Sequence, residues 1–298
     1  MRRLSLGMGL LAGIVLWGAG CQNVTKPVAE PPLRALRMSP DSCILEVFKV
    51  YFPSGDHEGN GALWNEIDEQ QVSAEVRQRL AANGFRAGVT GGQVPPALAK
   101  LMDLKGKPAP AAQVNALRLT GTETEPPVWR CRYTVRSGSR REIPCSAVYA
   151  EFPLLVCEPR GVWGESLAEA QGVLVVQPML ERDGRVRLKV APEVHYGKYQ
   201  TRWARSSQGI ERGVPSRLKR ALEPMNMETA LSPGQMLVIG SRAELPGSLA
   251  HRFLTRDIDG KVEQALLVIR LAQTQHEDLF DPQQPLPLDM VAEVDEGK

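Results

Sequence analysis

Apolar and polar residues alternate most regularly in the stretch 173–194, on both sides of the turn sequence Glu181-Arg182-Asp183-Gly184. A period of two residues is typical of a strand that buries one face, and Asp-Gly is a strong signal for a tight turn. The pattern predicts a β-hairpin between Val173–Leu180 and Arg185–Val194. Leu180 is predicted to lie opposite Val186, and Val176 opposite Val190. The other predicted core positions of the two arms are Val173, Leu174 and Leu188.

The rest of residues 127–275 also has the pattern of strands and turns. Met236–Ile239 and Ala265–Ala272 are short apolar runs, and a second Asp-Gly pair, Asp259-Gly260, precedes the later run. Such runs, separated by turn signals, are typical of antiparallel sheets. We therefore expect residues 127–275 to form a mainly antiparallel β domain.

Residues 41–105 mix the two periodicities of strands and helices. Val72, Val76 and Leu80 recur every four residues, which predicts one apolar stripe along a helix. The sequence predicts a small α/β module here, and the fold class of the chain is therefore predicted to be α+β. The expected elements, in order, are a strand at Ile44–Phe52, one or two helices at Leu63–Ala82 that end at Asn83-Gly84, a strand at Phe85–Val89 and a short helix from Pro95 to Leu104.

Three other segments have the composition of connections rather than of folded elements. Residues 21–40 contain four prolines and few large apolar residues, which predicts a tether. Residues 106–126 are predicted to be a linker between the two domains. Residues 276–298 carry seven acidic residues and only Lys298 as a base, which predicts a disordered, solvated tail.

The N-terminus has the pattern of an export signal. Arg2 and Arg3 precede the uncharged run Leu4–Gly20, and the run ends in Gly18-Ala19-Gly20-Cys21. A signal peptidase requires small side chains before its cleavage site. The ending resembles the lipobox of bacterial lipoproteins, in which the cysteine thiol is acylated before cleavage. Residues 1–20 are therefore predicted to be a signal peptide; an ordinary signal peptide and a retained anchor are the alternatives.

Lipidation would make Cys21 the first residue of the mature protein and its contact with the membrane. Two or three acyl chains, of the palmitate type, anchor a protein stably because each buried methylene contributes about 0.8 kcal/mol. Gln22 follows the cysteine. In the lipoprotein sorting pattern, a residue other than Asp at this position implies the outer membrane, facing the periplasm.

Net charge and motifs narrow the function classes. The chain has 36 basic and 34 acidic residues, and the predicted signal peptide takes away Arg2 and Arg3, so the mature charge is balanced. Balanced charge gives no long-range attraction for nucleic acid. None of the four histidines lies in a metal-type pair, and the sequence has neither a GxSxG elbow nor a Walker-type loop. We therefore expect no cofactor, no metal site and no catalytic residues.

Four cysteines remain beyond Cys21, namely Cys43, Cys131, Cys145 and Cys157. An even number in an exported chain suggests disulfides, and four cysteines allow three connectivities. A hairpin centred on Gly138 would place Cys131 opposite Cys145, close enough for a bridge. The sequence predicts this disulfide; two buried thiols are the alternative.

One resemblance covers about a third of the chain. Residues 172–192 read GVLVVQPMLERDGRVRLKVAP and are followed by Glu193-Val194. This stretch resembles the C-terminal core of bacterial secretins, which form rings in the outer membrane in type II and type III secretion and in type IV pili. Further along, Leu231–Gly240 is similar to a secretin stretch with the pattern dGqtlviGG. Pro246–Phe253 is similar to the lip motif of the family, and Ala265–Leu271 stands where the family has its last apolar strand.

The resemblance implies a secretin-like fold for the β domain and a non-catalytic role as a scaffold or subunit of a secretion-type assembly. In a ring, Val173–Val176 and Val186–Val190 would be inter-subunit or core strands. Two alternatives stay open. A binding module for a peptide, a glycan or a protein partner would be favoured by a deep apolar pocket, and a hydrolase by convergent acidic groups with shifted pKa values.

Overall fold

The structure is a computed structural model, and it describes residues 41–54, 57–102, 128–205 and 211–275. The predicted signal peptide, Cys21 with its tether, the linker at 106–126 and the tail at 276–298 lie outside the described residues. All the described residues belong to one compact unit of the chain, residues 38–298.

The described residues form twelve strands and four α-helices. The strands are β1 (Ser42–Pro53), β2 (Phe85–Thr90), β3 (Val128–Arg136), β4 (Arg141–Pro144), β5 (Tyr149–Glu158), β6 (Gly161–Leu180), β7 (Val186–Arg205), β8 (Glu211–Ala221), β9 (Met227–Leu231), β10 (Met236–Ser241), β11 (Thr255–Ile258) and β12 (Lys261–Gln275). The helices are α1 (His57–Asn65), α2 (Ala74–Ala82), α3 (Pro96–Met102) and α4 (Leu249–Phe253), with 3₁₀ turns at Glu69–Gln71 and Glu223–Met225. Among the described residues, no helix has the length and hydrophobicity that crossing a bilayer requires.

The first sheet joins strands from both ends of the chain. Its order is β2-β10-β12-β1-β3, and β11 pairs with the beginning of β12; every pair is antiparallel. The two central strands, β1 and β12, are buried on both faces, which explains why their sequences are nearly continuous apolar runs. On one face, α1 and α3 cover the sheet with Leu63, Trp64, Leu98 and Met102. The other face packs against the second sheet.

The second sheet has the order β4-β6-β7-β8, with β5 also paired to β6 and β9 also paired to β7. The two long central strands, β6 and β7, form the predicted hairpin. Leu180 lies opposite Val186 and Val176 lies opposite Val190, as the sequence predicts. The six predicted positions of this hairpin, Val173, Leu174, Val176, Val186, Leu188 and Val190, are all buried.

The predicted boundary between a module at 41–105 and a β domain at 127–275 does not follow the sheets. β1 lies between β12 and β3, and β2 pairs with β10, so both segments build one sheet. The physical reason is that a strand buried on both faces needs partners on both edges, and the pattern of a single strand does not say which later strand supplies them. The coarser prediction, mainly antiparallel β structure with few helices, is confirmed.

A buried carboxylate fixes the register of the first sheet. Glu46 lies in the middle of β1 and is 6 % exposed. Arg130 on β3 contacts it at 2.9 Å, and Arg270 on β12 contacts it at 3.4 Å. A slip by one residue would turn this charge to the other face of the sheet, into the core between the two sheets. The ion pairs therefore favour one alignment of three strands that are far apart in sequence.

Asn83 connects α2 to β5 and to α4. Its side-chain amide donates to the carbonyl oxygens of Arg79 and Cys157, and its side-chain oxygen accepts from the Cys157 N–H. Its backbone carbonyl accepts from the Ala250 N–H at the start of α4. Gly84 then takes a φ of +81°, which is the left-handed helix end that the sequence predicts.

An aromatic cluster closes the core between the sheets. Phe253, at the end of α4, packs edge to face against Phe85 and Phe152, with ring centroids 5.6 and 6.2 Å apart. Its ring lies directly on Gly172 of β6, where an added Cβ would stand 2.7 Å from the Phe253 Cγ. Only glycine fits at this position without moving a ring that three elements hold in place.

We expect Gly172→Ala to lower the free energy of unfolding by about 1–3 kcal/mol, because the new methyl group overpacks the site. Denaturant unfolding of the unit 38–298 measures this. The matched control is Gly61→Ala, since Gly61 is exposed on α1 and an added Cβ there has nothing within 4 Å. The control should be neutral or more stable by up to about 1 kcal/mol. Equal stability of Gly172→Ala and the unmodified chain would contradict the expectation.

Candidate functional site at the split end of the second sheet

The second sheet divides at one end. β6 and β7 pair with each other only from Gln171–His195 to Leu180–Val186. Beyond that point β6 pairs with β5, whereas β7 pairs with β8. The sheet therefore continues as two separate hairpins, which we call the first hairpin (β5 with residues 161–170 of β6) and the second hairpin (residues 196–205 of β7 with β8).

Each hairpin leaves the sheet at a residue with left-handed backbone. Glu169 on β6 has φ +49°, and Gly197 on β7 has φ +73°. The β7–β8 register shifts between Tyr196 and Gln200, so Gly197 belongs to a bulge. Bulges bend and twist a strand, and a left-handed glutamate carries a conformational cost. Both long strands thus change direction within two residues of the last pair that they share.

Large apolar side chains are exposed on these hairpins. They account for six of the ten exposed large apolar residues in the described part of the chain. Tyr199 and Trp203 are each 71 % exposed. Clustered apolar exposure, unlike scattered single residues, marks an interaction surface. The six are Leu155, Val162 and Trp163 on the first hairpin, and Tyr199, Trp203 and Leu218 on the second.

A network of charged side chains lies at the junction of the hairpins. Glu193 and His195 on β7 are buried, and the His195 Nε2 lies 3.1 Å from a Glu193 carboxylate oxygen. Arg140 forms an ion pair with the other Glu193 oxygen. Glu142 on β4 lies 3.9 Å from the His195 Nδ1 and forms an ion pair with Lys219 on β8. The network links β4, β7 and β8 where the sheet divides.

Glu142 is the member of this network whose ionisation is shifted. Burial opposes its charged form, but the hydrogen bond and charge of Lys219, with the charges of His195 and Arg140, outweigh burial. The pKa of Glu142 is therefore lowered from its ordinary value of 4.5. Because the carboxylate is stabilised in the folded state, it adds stability above its unfolded pKa, and that contribution is lost as the pH falls through the folded pKa.

We expect Glu142→Gln to reduce the free energy of unfolding by about 0.5 kcal/mol near neutral pH, the usual size for a half-exposed ion pair. The gap to the unmodified chain should begin to close below pH 4.5, where the unfolded carboxyl takes up its proton. Denaturant unfolding across this pH range measures it. Lys219→Gln should lose about as much stability, and the double variant little more. Additive losses would show that the pair does not interact.

The predicted disulfide between Cys131 and Cys145 is wrong. β3 and β4 do not form a hairpin, since β3 pairs with β1 in the first sheet and β4 pairs with β6 in the second. Between them the chain crosses from one sheet to the other: the Ser137 N–H donates to the Asp41 carbonyl, and the Gly138 N–H to the Pro178 carbonyl.

Cys131 and Cys145 instead make their backbone contacts in different sheets. Cys131 lies opposite Val47, and the Cys145 N–H donates to the Gly172 carbonyl. The described part of the chain contains no disulfide among Cys43, Cys131, Cys145 and Cys157. Cys43 is fully buried, and burial raises its pKa to about 12, which keeps it a neutral thiol.

A small cavity lies away from the hairpins, between α2 and β2. Its volume is about 210 Å³, and its lining includes Glu69, Arg77, Arg86 and Arg242. Glu69 forms an ion pair with Arg86, whose guanidinium also lies over the Trp64 ring. The cavity is charged and smaller than typical ligand pockets, so it does not favour an apolar binding module. The described residues hold no group of three or more side chains suited to a metal ion.

Sequence reasoning predicted the paired part of β6 and β7, but it predicted neither the two hairpins nor their exposed surface. The contact of His195 with Glu142 has no signal in the sequence, because it depends on the placement of β4 and β7 on the two sides of β6. The exposed aromatics do have a signal in the sequence. Trp163, Tyr199 and Trp203 stand among glycines and polar residues, in segments without an apolar alternation to bury them.

The chain matches no protein-family model, and no curated protein is significantly similar to it.

Proposed function

We propose that this chain is a non-catalytic lipoprotein of the bacterial cell envelope that acts as a subunit or scaffold of a secretin-type assembly. It self-associates through the second sheet and is held at the outer membrane by the lipid on Cys21. The main support for this proposal is the split end of the second sheet, because it combines open strand edges with exposed apolar side chains.

The edges of the second sheet are suited to pairing between copies. β4 and β5 run along one side of β6, whereas β8 and β9 run along the other side of β7. A second copy can therefore add its β5 edge to the β8 edge of the first, a head-to-tail contact that closes into a ring when the rotation allows. Pro153 and Pro215 remove one donor from each edge, which restricts the registers available.

The positions of the resembling segments agree with this proposal. The stretch that begins at Gly172 forms the central hairpin of the second sheet, and the stretch at Pro246–Phe253 ends in α4. Gly172 and Phe253 are in direct contact. Two segments that resemble separate secretin motifs are thus packed together, as parts of one domain would be.

We expect the full chain, purified in detergent, to form oligomers that cross-linking and electron microscopy detect. Leu155→Arg with Leu218→Arg should shift it to monomers, raising the dissociation constant at least about tenfold, because each variant places a charge in an apolar contact. Val262→Arg is the matched control, since Val262 is similarly exposed but lies in the first sheet. Only monomers of the unmodified chain at every concentration would sink the proposed assembly.

The proposed anchor has a separate test. In bacteria fed labelled palmitate, the full chain should carry the label and fractionate with the outer membrane. Cys21→Ser should lose the label and keep residues 1–20, which mass spectrometry detects. Cys157→Ser is the control and should stay labelled. Palmitate label on the Cys21→Ser variant would contradict lipidation at Cys21.

A further inference from the structure

The second hairpin concentrates positive charge. The segment 198–220 contains seven basic residues and one acidic residue, Glu211, whereas the chain outside it has more acidic than basic residues. The mature chain is therefore neutral overall but has an excess of positive charge in this segment. A local excess of this size attracts an anionic partner even when the whole protein is neutral.

The contacts identify two of these charges that hold the hairpin in place. Lys219 and Arg220 form ion pairs with Glu142 and Glu165 and so fasten the base of the hairpin to its neighbours. Lys198 is exposed. Three more arginines follow towards the tip, on the strands β7 and β8, and they are Arg202, Arg205 and Arg212.

Two aromatic rings lie on one face of the second hairpin together with Arg217. Trp203 lies opposite Gly213, and its ring is 3.9 Å from the position of a Gly213 Cβ. Arg217, two strand positions from Pro215 and four from Gly213, lies on the same face by alternation. Its guanidinium carbon is 5.5 Å from the Tyr199 ring centroid, and its Nε donates to the Gly197 carbonyl at 2.8 Å.

We propose that the second hairpin binds the anionic phospholipid headgroups of the bilayer, with Tyr199 and Trp203 at the level of the headgroups. Lysine and arginine are attracted to anionic lipid surfaces, and Trp and Tyr prefer the boundary between headgroups and acyl chains. The hairpin would be a second membrane contact beside the lipid on Cys21. This inference rests on the proposed envelope location but not on the proposed assembly.

The observations favour lipid over nucleic acid, the other polyanion. Single-stranded nucleic acid binds by stacking bases on free aromatic faces. Arg217 already lies over the Tyr199 ring, 5.5 Å from its centroid, and leaves one aromatic face fewer for base stacking. The predicted export signal also takes the chain to a compartment bounded by phospholipid.

The test uses the unit 38–298, which contains both described cores and lacks the predicted anchor. It is mixed with vesicles of phosphatidylcholine alone, or of phosphatidylcholine with phosphatidylglycerol, and sedimented. We expect binding to the anionic vesicles that weakens with added salt, and much weaker binding to the neutral ones. A blue shift of the tryptophan fluorescence on binding, lost in Trp203→Ser and kept in Trp163→Ser, would locate the contact.

Charge variants test the hairpin itself. Lys198→Gln with Arg202→Gln should weaken binding to anionic vesicles by about fivefold for each charge removed. Lys261→Gln is the matched control, because Lys261 is exposed at the start of β12 in the first sheet, and it should bind as the unmodified unit does. Denaturant unfolding of each variant shows that it is folded.

Three outcomes would overturn the inference: equal binding to neutral and anionic vesicles, the same loss in Lys261→Gln as in the hairpin variant, or hairpin-dependent binding to DNA without binding to vesicles. The oligomeric state of the full-length Lys198→Gln, Arg202→Gln variant separates this inference from the proposed assembly. Lost vesicle binding with intact oligomers supports a membrane contact distinct from the assembly contact. Oligomers lost together with vesicle binding would show that the hairpin serves assembly and would contradict its role as an independent membrane contact.

Discussion

The pairing of β6 with β7 is the constraint on which the second sheet depends. Their contact runs from Gln171 opposite His195 to Leu180 opposite Val186. Leu174, Val176, Leu188 and the other inward residues then meet the first sheet in one core. Because side chains alternate between faces, a slip by one residue would turn this whole set towards water and the charged positions towards the core. The two hairpins exist only because this pairing stops where it does.

This pairing could be predicted from sequence because it is local. The turn at Asp183-Gly184 and the alternation on both sides of it determine which residues lie opposite each other, so the register of β6 and β7 was predictable to the residue. The same reasoning located β10, β12 and the hairpin turn at Asp259-Gly260, where both residues have positive φ. Local periodicity and turn chemistry carry enough information for such elements.

The long-range pairings could not be predicted in this way. β1 pairs with β12, more than two hundred residues later, and the apolar run of β1 fits many partners equally well. Glu46, which selects the partners through Arg130 and Arg270, looks in the sequence like an ordinary exposed glutamate. The same limit explains the error at Cys131 and Cys145. Ser137 and Gly138 look like a hairpin turn, but their N–H groups bond to Asp41, just before the first sheet, and to Pro178 in the second sheet.

The layer order leaves few surfaces for a partner. The first sheet is covered by α1 and α3 on one face and by the second sheet on the other. The outer face of the second sheet carries Arg187 and Lys189, which form ion pairs with Glu181 and Glu228 and keep that face hydrated. Apolar contact area in the described part of the molecule is therefore concentrated on the edges and hairpins at the split end. Since Glu169 and Gly197 bend both strands there, the hairpins can contact partners without disturbing the pairing of β6 and β7 behind them. The paired halves of β6 and β7 thus stabilise the fold, whereas the other halves of the same strands form the exposed hairpins.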